Sequence, residues 1–213
     1  MRLSLLYRPR IAARRFSVWS YHRRHPGLPL LAIPAIEFLA DWIKTSDSVL
    51  EYGAGHSTRW YASRCQHITS VENIPEWAEI VHRETAACGN VDLRLFAGWD
   101  PARPGDGGFG AHTDRPYEGP QVNRAYVACL DSLPDNHFDI IINDGWCRHQ
   151  VAKRAVAKLK PGGLFLWDDV GWSELTGSHT PEVRQFVTMA SAWRRVSFND
   201  GVHRTVICLR PHS

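Results

Sequence analysis

The chain has 213 residues, 44% of them hydrophobic, enough to bury one sizeable core and short for two domains. Net charge is only +3, no apolar run reaches the roughly twenty residues that cross a bilayer, and the N-terminus lacks the apolar heart of a secretory signal. The five cysteines are odd in number, scattered and without a Cys-x-x-Cys pair, which argues against a disulfide framework or a zinc knuckle and fits a reducing cytosol.

The charge is unevenly placed. Arg2, Arg8, Arg10, Arg14, Arg15, Arg23 and Arg24 all precede the first acid, Glu37. With Leu3, Leu5, Leu6, Tyr7, Phe16, Trp19 and Tyr21 interleaved, residues 1–33 read as a basic arm able to touch an anionic membrane surface or an acidic glycan, with nucleic acid the lesser option. Its helical periodicity is untidy, so the competing reading is a solvated segment partly packed on the domain. Residues 34–213 read as one domain.

Pro34 to Ile43 carries apolar residues at helical spacing and stops at Lys44-Thr45-Ser46-Asp47. A short strand then runs to Glu51, a helix follows from about Ser57 to Cys65, and Ile68-Thr69-Ser70-Val71 forms a second strand closed by Glu72. Pro75 opens a helix that stops near Cys88-Gly89-Asn90, and Val91 to Phe96 alternates as a third strand. Residues 99–121 are rich in Gly, Pro and Asp; no regular element suits them, and they read as a binding loop or a linker.

Beyond that loop come a helix around Val122 to Leu130, a strand from Phe138 to Asp144, and a basic helix from about Gln150 to Leu159 broken by Pro161-Gly162-Gly163. Leu164 to Trp167 forms a fifth strand ending at Asp168-Asp169, then a helix from about Pro181 to Ala190 leads to two strands joined at Asn199-Asp200-Gly201, an Asp-Gly hairpin signal. The continuous apolar runs suit parallel strands covered on both faces. The expected fold is α/β: a doubly wound, mostly parallel seven-stranded sheet finished by a C-terminal antiparallel hairpin.

The most specific chemistry lies where the first strand turns into its helix, Glu51-Tyr52-Gly53-Ala54-Gly55-His56-Ser57-Thr58. Gly53 and Gly55 permit a sharp turn and close approach of a ligand to the main chain, and Ser57 or Thr58 can cap the helix. Glu72 stands at a spacing that suits a carboxylate holding both hydroxyls of a ribose. A dinucleotide site needs a third glycine, and Thr58 holds that place. Glu51 beside the turn would repel a pyrophosphate and attract an ammonium group.

This combination, with Asp139 to Asp144 and the Lys160-Pro161-Gly162-Gly163 turn, resembles class I S-adenosyl-L-methionine-dependent methyltransferases with a Rossmann-like fold, over about residues 34 to 210. The resemblance implies S-adenosyl-L-methionine as cofactor. Gly53, Gly55 and Thr58 would line it, Glu51 would lie near its amino end, Glu72 would bind its ribose, Asn73 and Gly98 would flank the adenine, and Asp144 would stand beside it. It further implies methyl transfer to oxygen of a small molecule or glycan building block.

Asp144, Asp168 and Asp169 are similar to the acids of catechol-type O-methyltransferases that bind a divalent cation, although Asp169 stands where that family has an amide. Three carboxylates suit magnesium. Alternatively Asp144 positions cofactor or substrate and Asp168 or Asp169 caps the next helix. His149, with Asp144, is a candidate for the base that takes the acceptor's proton, and Arg148 could clamp an anionic group on the acceptor. His56 reads as a shaper of the pocket. Trp99, Trp146, Trp167 and Trp172 could stack on an acceptor or simply pack the core. The rival readings are an aminopropyl transferase of the same fold, a nicotinamide-dependent oxidoreductase, and a non-catalytic cofactor-binding module that docks a partner through its arm.

Overall fold

Apolar side chains alternate between the two faces of every central strand, and that alternation builds the molecule. The computed structural model describes residues 9–97 and 121–212. Its sheet runs in the order β3-β2-β1-β4-β5-β7-β6. The strands are β1 (Ser48–Tyr52), β2 (His67–Glu72), β3 (Val91–Leu95), β4 (Phe138–Asn143), β5 (Leu159–Asp168), β6 (Arg194–Asn199) and β7 (Arg204–Leu209). The first five pair in parallel, and β7 runs antiparallel between β5 and β6. The expected doubly wound sheet with its closing hairpin is therefore the observed one.

On one face Val49, Ile68, Ile140, Ile142, Leu164, Leu166 and Ile207 are buried against α2 (Ile33–Trp42) and α3 (His56–Ala62). On the other, Leu50, Tyr52, Val71, Ile141, Phe165, Trp167, Val206 and Cys208 meet residues of α5 (Gln121–Ala128), α6 (Arg148–Ala155), α7 (Trp172–Gly177) and α8 (Pro181–Met189). Helix α4 (Pro75–Glu84) links β2 to β3. Trp167 belongs to this core, its ring 5.1 Å from that of Phe186, so packing explains it without a ligand.

Several boundaries differ from the sequence reading for identifiable reasons. Residues 9–24 form a helix, α1 (Pro9–Arg24), with only Val18 fully buried; polar tethers to the β6–β7 turn hold it, which apolar periodicity does not register. Leu31 and Ala32 are buried in the core and α2 begins at Ile33, so the segment standing apart from the core ends before the expected seam at 33/34. The basic helix ends at Ala155, and a short 3-10 turn carries the chain into β5 at Leu159. Leu159 faces Phe138 and Leu164 faces Ile140, so Lys160-Pro161-Gly162-Gly163 bulges from within β5 instead of preceding it. Lys160 Nζ reaches Asp139 at 2.8 Å, and Asp139 also accepts the Ser48 amide at 2.8 Å. The short helix α7 was not expected; its six residues offer little periodicity. Gln121 begins α5, while Gly98 and the remainder of the 99–121 segment lie outside the described residues.

No helix among the described residues is long and apolar enough to cross a membrane. Phe165 lies at the sheet centre, fully buried, its ring 4.9 Å from Phe186. Phe165→Ala should cost about 3–5 kcal/mol in urea unfolding, against less than about 1 kcal/mol for Val196→Ala on edge strand β6. Equal losses would contradict this placement of the core.

Candidate functional site

Backbone contacts between the ends of neighbouring strands shape the site. The Asp144 amide donates to Tyr52 O at 3.0 Å and the Gly53 amide to Val71 O at 3.0 Å, so the chain leaving β1 is held between β2 and β4. Gly53 has φ +93°, and a Cβ there would stand 2.6 Å from Gly145 Cα. Gly145, which the sequence reading missed, is equally constrained: its Cβ would stand 2.6 Å from Gly53 N and collide with the Tyr126 hydroxyl. Gly55 differs from expectation. Its φ of −169° is open to any residue, and a Cβ there would meet nothing within 4 Å, so its use is the open space it faces.

Glu51, the penultimate residue of β1, is only 1% exposed. Its Oε1 accepts from Ser57 Oγ at 2.7 Å; its Oε2 accepts from Thr58 Oγ1 at 2.6 Å and Ser70 Oγ at 2.7 Å. Among the described residues no arginine, lysine or histidine pairs with it. Burial pushes this carboxyl up to about 7, with the three hydroxyls pulling the other way. Thr58 is fully buried beneath the turn, accepting the Gly55 amide at 3.1 Å while donating to Glu51. With Gly55 at the N-cap, Thr58 closes a capping box from the third position of α3 and at the same time holds Glu51. Ser70 was legible only through strand register, since it pairs with Glu51 across β1 and β2.

Glu72 ends β2 on the same edge of the sheet, 3% exposed. Its Oε1 accepts the amides of Asn73 and Ile74, both at 2.8 Å, and burial raises its pKa to about 7. The Asn73 side chain is fully buried, with neither amide atom hydrogen-bonded among the described residues. Of the residues expected around adenine, Asn73 is at this edge and Gly98 is outside the described residues. His56 lies at the start of α3 and turns to α4, its Nδ1 2.7 Å from Glu84 Oε1 and its ring against Trp77.

The three aspartates do converge: Asp144, Asp168 and Asp169 each bring a carboxylate oxygen within 4.8 Å of the others. Positive charge is already among them. Arg148 Nη2 donates to Asp144 Oδ1 and to Asp144 O, both at 2.7 Å, and Nη1 lies 3.5 Å from Asp169 Oδ2. A dication brought within about 4 Å of that fixed guanidinium would meet about 8 kcal/mol of repulsion at an effective dielectric of about 20. The donor set is that of a hard cation, and Arg148 already brings one positive charge that would compete with it for the three carboxylates.

Asp168 is buried, accepts Thr205 Oγ1 at 2.7 Å, and is held well above the usual carboxylate range by burial and by its acidic neighbours. Enclosure likewise raises Asp144, to about 6, against the pull of Arg148. Neither Asp168 nor Asp169 caps a helix: Gly171 is the N-cap of α7, its amide bound by Glu174, and Thr180 is that of α8. Cys147 and Asp169 follow β4 and β5 with φ +54° and +60°, backbone strain gathered beside the cluster. His149, half-buried on the first turn of α6, has its ring 6.0 Å from that of Trp167.

No family model matches this sequence, and no curated protein sequence matches it. Its fold does match solved structures. One is the O-methyltransferase TomG from Streptomyces achromogenes, involved in tomaymycin synthesis and crystallised with S-adenosylmethionine, at 17% identity and TM-score 0.52 over 92% of this chain and 89% of that one. Another is a methyltransferase from Geobacter sulfurreducens, at 13% identity and TM-score 0.52 over 94% and 90%. A third is TYW2 from M. jannaschii, in complex with S-adenosylmethionine, at 13% identity and TM-score 0.50 over 81% and 72%. The chain thus has the class I, Rossmann-like methyltransferase fold.

The acids make stability depend on pH with a definite sign. Carboxyls raised from 4.5 to about 7 favour the folded state while protonated, so the stability they support is full below about pH 4.5 and lost as pH rises through about 7. The urea midpoint of ligand-free protein should fall between about pH 5.5 and about pH 8, and Glu51→Gln should flatten that fall. An unchanged slope in the variant would contradict the assignment.

Proposed function

We propose that this chain is an S-adenosyl-L-methionine-dependent methyltransferase acting on an oxygen of a small molecule or glycan building block. The observation that carries the reading is Glu51: a buried carboxylate with no cationic partner among the described residues, beside the open space over Gly55 and among further acids. Such a site repels phosphate groups and favours a ligand that brings its own ammonium and sulfonium charge. Nicotinamide dinucleotides carry the opposite charge.

Glu51 holds the amino end of the cofactor and Glu72 its ribose hydroxyls. Gly53 and Gly55 let it approach the main chain. The amide of Asn73, without a partner among the described residues, suits the donor and acceptor edge of adenine. When bound, S-adenosyl-L-methionine supplies a methyl group already activated on a sulfonium. What this chain adds is alignment, exclusion of water and removal of the acceptor's proton. We assign the last to His149 and Asp144, whose raised pKa makes it a stronger base than an ordinary carboxylate. Arg148 supplies the positive charge that a metal brings in the catechol-type enzymes, so the proposed reaction needs no divalent ion.

Calorimetry should find S-adenosylhomocysteine bound, with NAD at least about tenfold weaker, and Glu72→Ala should weaken the first about a hundredfold. No binding, or indifference to Glu72→Ala, would overturn the reading; preference for the decarboxylated cofactor would point to aminopropyl transfer. In an acceptor screen with labelled cofactor, chelating divalent ions should leave turnover unchanged. Loss restored by magnesium would show that the three aspartates do take a metal.

A further inference from the structure

Helix α1 presents a combination the proposed chemistry does not use. It carries Arg10, Arg14, Arg15, Arg23 and Arg24 without one acidic residue. None of these arginines is paired with a carboxylate among the described residues. Its inner side is tethered: Val18 is buried, Arg14 donates to Asp200 O at 2.6 Å and Asn199 O at 3.2 Å, and the His22 ring stacks edgewise on His203 at 5.2 Å. Its outer side is amphiphilic. Ala12, Phe16, Trp19 and Arg23 follow one another at helical spacing along one face. Phe16 is 66% and Trp19 52% exposed, their rings 5.8 Å apart, and Arg23 lies 4.7 Å over the Trp19 ring.

We propose that this face of α1 docks on an anionic lipid surface. Exposed aromatic rings among unpaired arginines match the two demands of a charged bilayer interface, apolar insertion at headgroup depth and attraction to acidic lipids. A second copy of the chain fits poorly, because two such faces would bring like charges together. Single-stranded nucleic acid fits less well than lipid, because base stacking needs open ring faces and Arg23 covers one face of Trp19.

Location adds a consequence. Arg14 holds the β6–β7 turn, and β7 begins where Thr205 pairs with Asp168 at the C-terminal end of β5. Docked through α1, the protein would meet the membrane beside the strand ends that carry Glu51, Glu72 and Asp144.

The test is co-sedimentation of the full chain with vesicles of phosphatidylcholine alone or with about 30% phosphatidylserine, at about 0.05 M and about 0.5 M salt. Binding should require phosphatidylserine and fall at least about tenfold at the higher salt. Phe16→Ser with Trp19→Ser, and separately Arg15→Glu with Arg23→Glu, should each cut it at least about tenfold while the melting temperature stays unchanged. No binding at low salt, equal binding to neutral vesicles, or full binding by both variants would overturn the proposal. So would tighter binding to a single-stranded oligonucleotide, or a dimer in light scattering that Phe16→Ser with Trp19→Ser abolishes.

Discussion

Buried negative charge at one edge of the sheet is the constraint on which the site depends. Glu51, Glu72 and Asp168 are each almost wholly enclosed at the ends of β1, β2 and β5, and Asp144 follows β4. Burying a carboxylate without a cation is costly, and the protein offsets the cost only in part. Three hydroxyls serve Glu51, two backbone amides serve Glu72, and one hydroxyl serves Asp168. Arg148 serves Asp144, and no cation among the described residues pairs with Glu51 or Glu72. A cationic, nucleoside-shaped ligand would complete what the fold leaves open.

The backbone around these acids is shaped to match. The turns after β1 and β4 touch at Gly53 and Gly145, so neither can carry a side chain without forcing the strands apart. That contact sets the acids of β1 and β4 side by side, and Asp144 in turn raises both Glu51 and Glu72. Arg148, at the first position of α6, spans from Asp144 to Asp169 across the ends of β4 and β5. Positioning and charge balance thus come from the same few residues.

Much of this was legible in the sequence, because the signals were local. Apolar runs with Glu51 and Glu72 at their ends marked parallel strands and a ligand edge, and Asn199-Asp200-Gly201 marked the closing hairpin. Interactions across strands were not legible. Ser70 serves Glu51 and Thr205 serves Asp168 through register, which no single segment carries. Thr58 stood out as a missing glycine, yet its use is to hold Glu51 from below. Asp144, Asp168 and Asp169 converge as a metal set should, but the sequence could not show Arg148 folding back among them. Helix α1 escaped detection because polar tethers hold it and its aromatic residues face outward.

The central claim is that Glu51 and Glu72 are partly protonated until a ligand supplies the missing positive charge. Calorimetric titration with S-adenosyl-L-methionine at about pH 7, in one buffer of small and one of large ionisation enthalpy, measures this directly as protons released on binding. With both carboxyls near 7, binding should release up to about one proton, and the observed heats should differ between buffers accordingly. Identical heats in the two buffers would contradict the account.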